Sequence, residues 1–484
     1  MDEVVIGIDL GTQGARVLAV DPAGRLASSE HEALMAPVQS LPEGWIEQSP
    51  RDWWQAVRNC LLRTVAQLPS RCSIAGISVD STSGTILPVS VNGEPFYNAI
   101  LYNDRRSENQ AVEVQEAGAT QQNKFGYVFG SSYALPKILW FKQVFPELFV
   151  QTHRFIHAAD FINGHLTGDF CVTDTSNALK TGYDLLDFRW PDFIENTLSI
   201  PLWLLPEVVL PGIQIGQVSM QAAQETGLAP GIPVFAGATD GAAAQIASGA
   251  VQPGDWNSTL GTTLVLKGIA REIIPDQKGR VYFHRHPEGW WMPGGASNTG
   301  TEWIKVDHPG DDPANLDRLA EPYLPTSLVR YPLAKKGERF PFVHKEASGF
   351  FSGEPSDGNE YYAAGLEGLA LLERLAYTML PAIGLEVGER LYITGGGARS
   401  TLWSQIRASV LHKVLKQPAV PETAMGAAII AASGCWYGSL SQAARHMVQI
   451  VRSIESNPDW QDAYDDKYAA FMAELTKRDW YEHF

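Results

Sequence analysis

The residues best placed to do chemistry lie near the N-terminus. Ile8-Asp9-Leu10-Gly11-Thr12-Gln13-Gly14-Ala15-Arg16 stands between two apolar runs, Val4-Val5-Ile6 and Val17-Leu18-Ala19-Val20. Two strands joined through a turn holding Gly11 and Gly14 make a hairpin whose tip exposes backbone N–H groups. Such groups cradle phosphate oxygens. Asp9, at the end of the first strand, is a carboxylate able to hold a hydrated Mg²⁺ against them. An ordinary hairpin with one acid beside its turn has the same residues, so this stretch does not decide the matter alone.

Three further segments add to it. Ala236-Gly237-Ala238-Thr239-Asp240-Gly241 follows an apolar run and precedes a small-residue helix from Ala242 to Ala250. Leu260-Gly261-Thr262-Thr263-Leu264 is a second Gly-Thr turn between apolar residues. Leu391-Tyr392-Ile393-Thr394-Gly395-Gly396-Gly397-Ala398 is a strand running into a triple-glycine loop, with a helix beginning near Ser400. An acid at a strand end, two Gly-Thr turns and a glycine loop at a helix N-terminus form a nucleotide constellation. No G-x-x-x-x-G-K-S/T run occurs, which excludes a P-loop protein.

Asp240 is the candidate general base. It sits where a strand gives way to a helix whose positive end favours a carboxylate, and an N-cap role is compatible with this. Thr12, Gly14, Thr262 and Thr263, with Gln13 and Gly261 in the same turns, are placed to contact phosphates. Arg16 either joins them or points out of the hairpin. Gly396, Gly397 and Ala398 allow the backbone to pass close to an adenosine.

The elements that must position these groups are legible from periodicity. Residues 1–35 read as a hairpin plus a third strand. Arg51 to Leu68 has helical spacing, with Trp54, Val57, Leu61, Leu62 and Val65 on one face and Ser49 or Asp52 as cap. Ile74 to Val79 is a buried strand ending at Asp80, Ile86 to Val91 a second strand, and Asn92-Gly93 a turn. Glu108 to Phe125, Pro136 to Phe145 and His157 to Leu166 are helical. Thr173 to Lys180 is expected as a loop reaching the site. Pro211 to Gly231 holds a short strand and a helix, and Leu366 to Leu380 a long helix. Residues 305–360 read as irregular. The two Gly-Thr turns look like one device used once in each half, which places a boundary near residue 250 and two domains at 1–250 and 251–484.

A chain of 484 residues is too long for one growing core. Its formal net charge of −17 argues against a nucleic-acid partner. Cys60, Cys72, Cys171 and Cys435 are scattered, so neither a zinc site nor a disulfide framework is indicated. No signal peptide and no membrane-spanning stretch are visible, and a cytoplasmic protein is expected. A homodimer is left open.

With these motifs in order, the chain resembles the FGGY carbohydrate kinases, within the superfamily of sugar kinases, actin and the heat-shock chaperone ATPases. Gly44-Trp45-Ile46-Glu47-Gln48-Ser49-Pro50 is similar to the family's Gly-Trp-x-Glu-Gln/His-x-Pro signature. Leu101 to Arg106 is similar to its Asn-Asp-x-Arg stretch, and Glu422 to Ala428 to its connecting helix. The resemblance implies an α/β fold of two actin-like (ribonuclease H-like) domains with a ligand cleft between them. It implies ATP and Mg²⁺ as cofactors, with Asp9 and Asp240 near the metal and Asp240 as the base. Gly426 is expected to permit close packing and not to touch a ligand.

For the sugar, Val79-Asp80-Ser81-Thr82-Ser83-Gly84-Thr85 is the informative stretch. It lacks the Gln-Met-His of xylulose kinases and resembles the Asp-x-Thr-Ser-x-Thr of ribulose kinases. Gly294 to Asn298 and Gly337-Glu338-Arg339-Phe340-Pro341 add to that likeness. D-ribulose is therefore expected first, with D-xylulose, L-ribulose or a polyol as alternatives. Asp80 and Ser83 either bond sugar hydroxyls or satisfy their own turn. Trp45, Asn103 and Asp104 either reach the pocket or serve the structure, Trp45 by loop packing and Asp104 by pairing with Arg105. An ATPase module without a sugar substrate is the rival permitted by the fold alone.

Overall fold

The chain is described as a computed structural model covering residues 2–38, 40–276 and 278–481. It divides into two units. The first contains everything up to Ala247 together with His284–Gly289 and Glu422–Gln449. The second contains Ser248–Phe283, Trp290–Pro421 and Ile450–Phe484. A single cut at residue 250 thus falls close to the first crossing and misses two later segments that fold with the first unit. Short hydrophobic segments carry no mark of which core they will join.

The first unit is built on a six-stranded sheet. Its strands are β1 (Glu3–Leu10), β2 (Gly14–Val20), β3 (Leu26–Ala33), β4 (Ser73–Ser81), β5 (Gln214–Gln217) and β6 (Pro233–Phe235), in the order β5-β6-β4-β1-β2-β3. β2 pairs antiparallel with β1 and with β3, whereas β4 runs parallel to β1 and β6 parallel to β4. Central parallel strands are covered on both faces, so β1 reads as a near-continuous apolar run, with Val4, Val5, Ile6 and Ile8 fully buried.

One face is covered by the helix Pro50–Gln67, which starts with Pro in its first turn as a helix tolerates. It buries Trp53, Trp54, Val57, Cys60, Leu61 and Thr64, while Leu62 is exposed and Val65 only half-buried. The apolar stripe is thus rotated from the expected one. Ser49 holds the N-cap position without a side-chain capping bond. The other face carries the helix Thr423–Ala432, pressed so close that a Cβ on Gly7 would lie 1.9 Å from the Ala424 carbonyl oxygen. Gly426 does the expected packing: a Cβ there would lie 2.0 Å from the Ala243 carbonyl oxygen.

The second unit repeats the plan. Its strands are β7 (Trp256–Leu260), β8 (Leu264–Gly268), β9 (Tyr282–Arg285), β10 (Trp291–Ala296), β11 (Arg390–Thr394), β12 (Val414–Pro418) and β13 (Ile450–Ile454), in the order β9-β10-β8-β7-β11-β12-β13. The hairpin β7–β8 corresponds to β1–β2, β10 to β3, the parallel strands β11 and β12 to β4 and β6, and the antiparallel β13 to β5.

Elsewhere the expectations need correction. Thr173–Lys180 is not a loop: Val172–Asp174 is a strand and Thr175–Leu179 a helix, whose N-cap Asp174 accepts from the amides of Ser176 and Asn177. The predicted helix over 108–125 breaks at Gly118 into Glu108–Ala117 and Ala119–Phe125. Residues 305–360 are not structureless: the helix Pro313–Ala320 and the paired strands Val329–Tyr331 and Phe350–Ser352 lie within them, and the helix Glu302–Asp307 enters them. Their segments are too short for periodicity to register.

Candidate active site

In the first unit the strand register gathers carboxylates at one sheet end. Asp9 on β1 is opposite Asp80 on β4, and Ser81 bridges to Thr239, the residue before Asp240. Gly237 permits this approach, since a Cβ there would lie 1.9 Å from the Val79 carbonyl oxygen. Asp240 opens the helix Asp240–Ser248, and its carboxylate accepts from the Gly241 amide at 2.5 Å. Asp80 is fully buried, and neither oxygen accepts a hydrogen bond from a donor among the described residues. Burial, then Asp9 within hydrogen-bonding reach, then Asp240, push its carboxyl well above the usual carboxylate range.

Lys180, unremarked in the sequence, completes this cluster. It caps the helix Thr175–Leu179, and its ammonium stands 4.2 Å from the centroid of the Tyr133 ring. Burial lowers its pKa to about 8, while the Asp240 charge opposes the fall. Ser176 in the same helix accepts the Thr239 amide at 2.7 Å and so helps place Asp240. The only sequence signal was that 173–180 would reach the site.

The first Gly-Thr turn closes through a hydrogen bond from the Gly11 amide to the Gly14 carbonyl at 3.0 Å. Gln48 Nε2 donates to the Thr12 carbonyl at 2.7 Å, and the Leu34 amide to the Gln13 carbonyl at 2.9 Å. These bonds use the carbonyls; among the described residues the amides of Thr12 and Gln13 have no acceptor. Gly14 answers to packing: a Cβ there would lie 2.6 Å from His31 Nε2 and 2.8 Å from the Glu32 carbonyl oxygen. Arg16 faces Asp9 across the ladder, and its ion pair is with Glu422 at 3.9 Å, both half-exposed.

The residues expected around the sugar separate. Asp104 is buried and committed: its oxygens accept from the Arg106 guanidinium at 2.7–3.0 Å, the Arg106 amide at 2.9 Å and the Ile46 amide at 2.5 Å. It pairs with Arg106 rather than Arg105, and has no lone pair left to serve a ligand. Trp45 lies under the Arg106 guanidinium at 3.9 Å and edge-on to Trp140 at 5.2 Å, which is packing. Asn103 is exposed, and Ser83 half-buried. Glu47 of the tryptophan signature is also structural, accepting from Tyr97, Asn98 and Arg106 at 2.7–3.0 Å.

In the second unit Gly261 donates to the Thr263 carbonyl at 3.0 Å, and among the described residues the Thr262 and Thr263 amides have no acceptor. The glycine loop begins at Gly395, whose φ of 86° suits glycine. Gly396 and Gly397 border a cavity of about 540 Å³, with Ile304, Lys305, Ser400 and Trp403 among its walls. That size suits a nucleoside. The two glycines differ. A Cβ on Gly396 would meet nothing within 4 Å, whereas one on Gly397 would lie 2.4 Å from Leu260 Cδ2. Gly397 is thus held small by Leu260 as well. The Ala398 carbonyl accepts from Arg452 at 2.6 Å. Ser400 caps the helix Thr401–Leu411 and donates to Asp317 at 2.6 Å.

This frame, a duplicated sheet with a Gly-Thr hairpin in each half, is a two-domain actin-like ATPase type. The chain belongs to the FGGY family of carbohydrate kinases: the family's N-terminal domain matches residues 4–247 and its C-terminal domain residues 256–435. It is 26% identical over 492 residues to a xylulose kinase of Staphylococcus epidermidis, covering 97% of this chain and 96% of that protein. It is 26% identical over 455 residues to a gluconokinase of Bacillus subtilis, covering 89% and 87%. The solved xylulose kinase of Rhodospirillum rubrum superposes with a TM-score of 0.87 at 26% identity, over 98% of both chains. The protein is therefore a phosphotransferase of the sugar kinase type that uses ATP, and the ATPase-only rival is set aside. No helix among the described residues is long and apolar enough to cross a membrane.

Mg²⁺ has a fitting environment. Among the described residues no three His, Cys, Asp or Glu side chains form a ready-made metal cage. Mg²⁺ in phosphoryl transfer asks for less: one or two carboxylates, water and nucleotide oxygens. Asp9 and Asp240, which both act on the Asp80 carboxyl, are carboxylates of the kind such a site would use.

Proposed function

We propose that the protein transfers the γ-phosphoryl group of ATP to the primary hydroxyl of a free ketopentose, with D-xylulose as the first substrate to test. The observation that carries this reading is Asp240 at the start of its helix, acting with Asp9 on the buried carboxyl of Asp80. Asp240 takes the proton from the attacking hydroxyl, a role that needs a carboxylate within reach and little else from the protein. Asp9 and Asp240 would hold a hydrated Mg²⁺, which would supply charge neutralisation at the transferring phosphate. The amides of the Gly11–Gly14 and Gly261–Thr263 turns receive phosphate oxygens, with Arg16 near the first. Gly396, Gly397 and Ala398 border the adenosine. Asp80, Ser83 and Lys180 are the polar groups this reading offers to the sugar.

The choice of sugar has moved. The relatives named xylulose kinase favour D-xylulose over the D-ribulose first expected. One observation keeps D-ribulose as the second reading: the Asp80–Thr85 segment has no histidine. The two sugars differ in configuration at one carbon, so one or two hydroxyl contacts decide between them. A coupled assay over D-xylulose, D-ribulose, L-ribulose, gluconate and glycerol is the test. A higher kcat/KM with D-xylulose than with any other is expected. Turnover of gluconate or glycerol alone overturns the ketopentose assignment.

A further inference from the structure

We infer that Glu338 is a positioning residue for phosphate binding, acting through residues 297–301 on the Gly261–Thr263 turn. The inference rests on the reading of that turn as a phosphate cradle. It also joins two motifs, Gly294–Asn298 and Gly337–Pro341, that the proposed chemistry leaves unused.

Glu338 is 3% exposed, and among the described residues no cation pairs with it. Its charge is met by hydrogen-bond donors instead. Oε2 accepts from Ser297 Oγ at 2.8 Å, Thr299 Oγ1 at 2.9 Å and Tyr331 OH at 2.7 Å. Oε1 accepts from the amides of Asn298 at 2.7 Å, Arg339 at 2.9 Å and Phe340 at 3.5 Å. A buried carboxylate without a counter-ion is costly and persists only where donors converge on it. Three of the six come from 297–299, so the charge organises that segment. Asn298 Nδ2 adds a bond to the Gly337 carbonyl at 2.9 Å.

The organised segment then grips the turn. The Ser297 amide donates to the Leu264 carbonyl at 2.9 Å, the Leu264 amide to the Thr299 carbonyl at 2.8 Å, and the Thr301 amide to the Gly261 carbonyl at 2.8 Å. Between these, Gly300 runs against the turn so closely that a Cβ would lie 2.2 Å from the Thr262 carbonyl oxygen. Both ends of the turn are thereby fixed through its flanking carbonyls and the Leu264 amide. A cradle of this kind works only if its amides are held in place before the anion arrives.

A merely structural Glu338 would lower stability and leave the folded enzyme's substrate affinities alone. The test therefore measures the full chain's ADP affinity by calorimetry, the KM values for ATP and D-xylulose, and Tm. In Glu338→Gln we expect ADP to bind about tenfold more weakly and KM for ATP to rise similarly, since one charge-assisted bond is worth that much. KM for the sugar stays within about twofold, a change of well under 1 kcal/mol. Ser297→Ala, a milder change should Glu338→Gln not fold, moves the same quantities in the same direction. Tm loss with unchanged ADP affinity in both variants, or equal losses for ATP and sugar, overturns the inference. Gly261→Val separates the two levels. If it leaves ADP affinity intact, the cradle reading fails; if it abolishes binding while Glu338→Gln and Ser297→Ala do not alter it, only the role of Glu338 fails.

Discussion

Asp9 and Thr259 occupy the same place in the two hairpins: each is the last but one residue of its strand, two positions before a Gly-Thr turn. Across the parallel ladder Asp9 faces Asp80, and Thr259 faces Thr394. In the second unit the facing pair satisfies itself, Thr259 Oγ1 and Thr394 Oγ1 sharing a hydrogen bond at 2.8 Å. In the first unit the pair is two acids, one fully buried without a donor among the described residues. One scaffold thus carries a relaxed strand end in one unit and an electrostatically crowded one in the other. Crowding of that kind persists where a site uses it. The difference supports the proposal that the chemistry belongs to the first unit and nucleotide binding to the second.

The largest effect expected from this contrast is at Asp240. Asp240→Asn keeps the shape of the strand–helix junction and removes the base. We expect kcat to fall on the order of a hundredfold or more, with ADP affinity close to that of the wild type. Near-normal turnover would end the assignment of the base. Asp9→Ala comes next. Its effect should fall on use of Mg·ATP by tenfold or so while sugar affinity holds, because a lost metal ligand is felt at the phosphates. A defect confined to sugar affinity would place Asp9 in the wrong role.

The nucleotide unit gives a sharper contrast within one loop. Gly396→Val points its side chain into open space beside the cavity, so nucleotide affinity should drop about tenfold in a folded protein of near-normal Tm. Gly397→Val drives a side chain into Leu260, so Tm should fall as well. Calorimetry with ADP and thermal unfolding of both variants check this. Equal affinity losses with equal Tm losses would mean that the loop's glycines serve packing alone.

Most of the frame was legible from residue types. The two Gly-Thr turns, the strand before each and the helix capped by Ser400 follow from apolar runs punctuated by glycine. Asp9 and Asp240 were singled out by the glycine turns beside them and by the family resemblance, not by the acids alone. What was not legible depends on long-range pairing. Asp104 was left open between the pocket and a pairing with Arg105, yet its partners are Arg106 and the Ile46 amide, 58 residues away. Trp45 was left open between pocket and packing, and what its own stretch does not record is Arg106 stacked over it. Lys180 carries no local pattern and becomes notable only through burial near Asp240. The segments 284–289 and 422–449 return to the first unit by packing, which no local composition records.

The smallest expected effect tests the comparison most directly. Asp80→Asn removes one of the crowded acids at nearly constant shape. The carboxyl is pushed up in the folded state by burial, Asp9 and Asp240. A raised carboxyl pKa means the folded state retains a proton that the unfolded chain has released. That group's contribution to stability is full below the ordinary carboxylate range and is lost as pH rises. Asp80→Asn should therefore raise Tm at neutral pH by about 2–4 °C, a change near 1 kcal/mol for a unit of this size. The gain should shrink as pH falls towards about 4, where the unfolded chain is protonated too. The counterpart in the second unit, Thr394→Ala, breaks the Thr259–Thr394 bond and should lower Tm by a similar amount at every pH. Opposite signs at neutral pH, with only the Asp80 effect varying with pH, are what a crowded acid site and a satisfied hydroxyl pair require. If both substitutions lower Tm alike, the first unit's strand end is as relaxed as the second's, and the division of labour drawn from it falls.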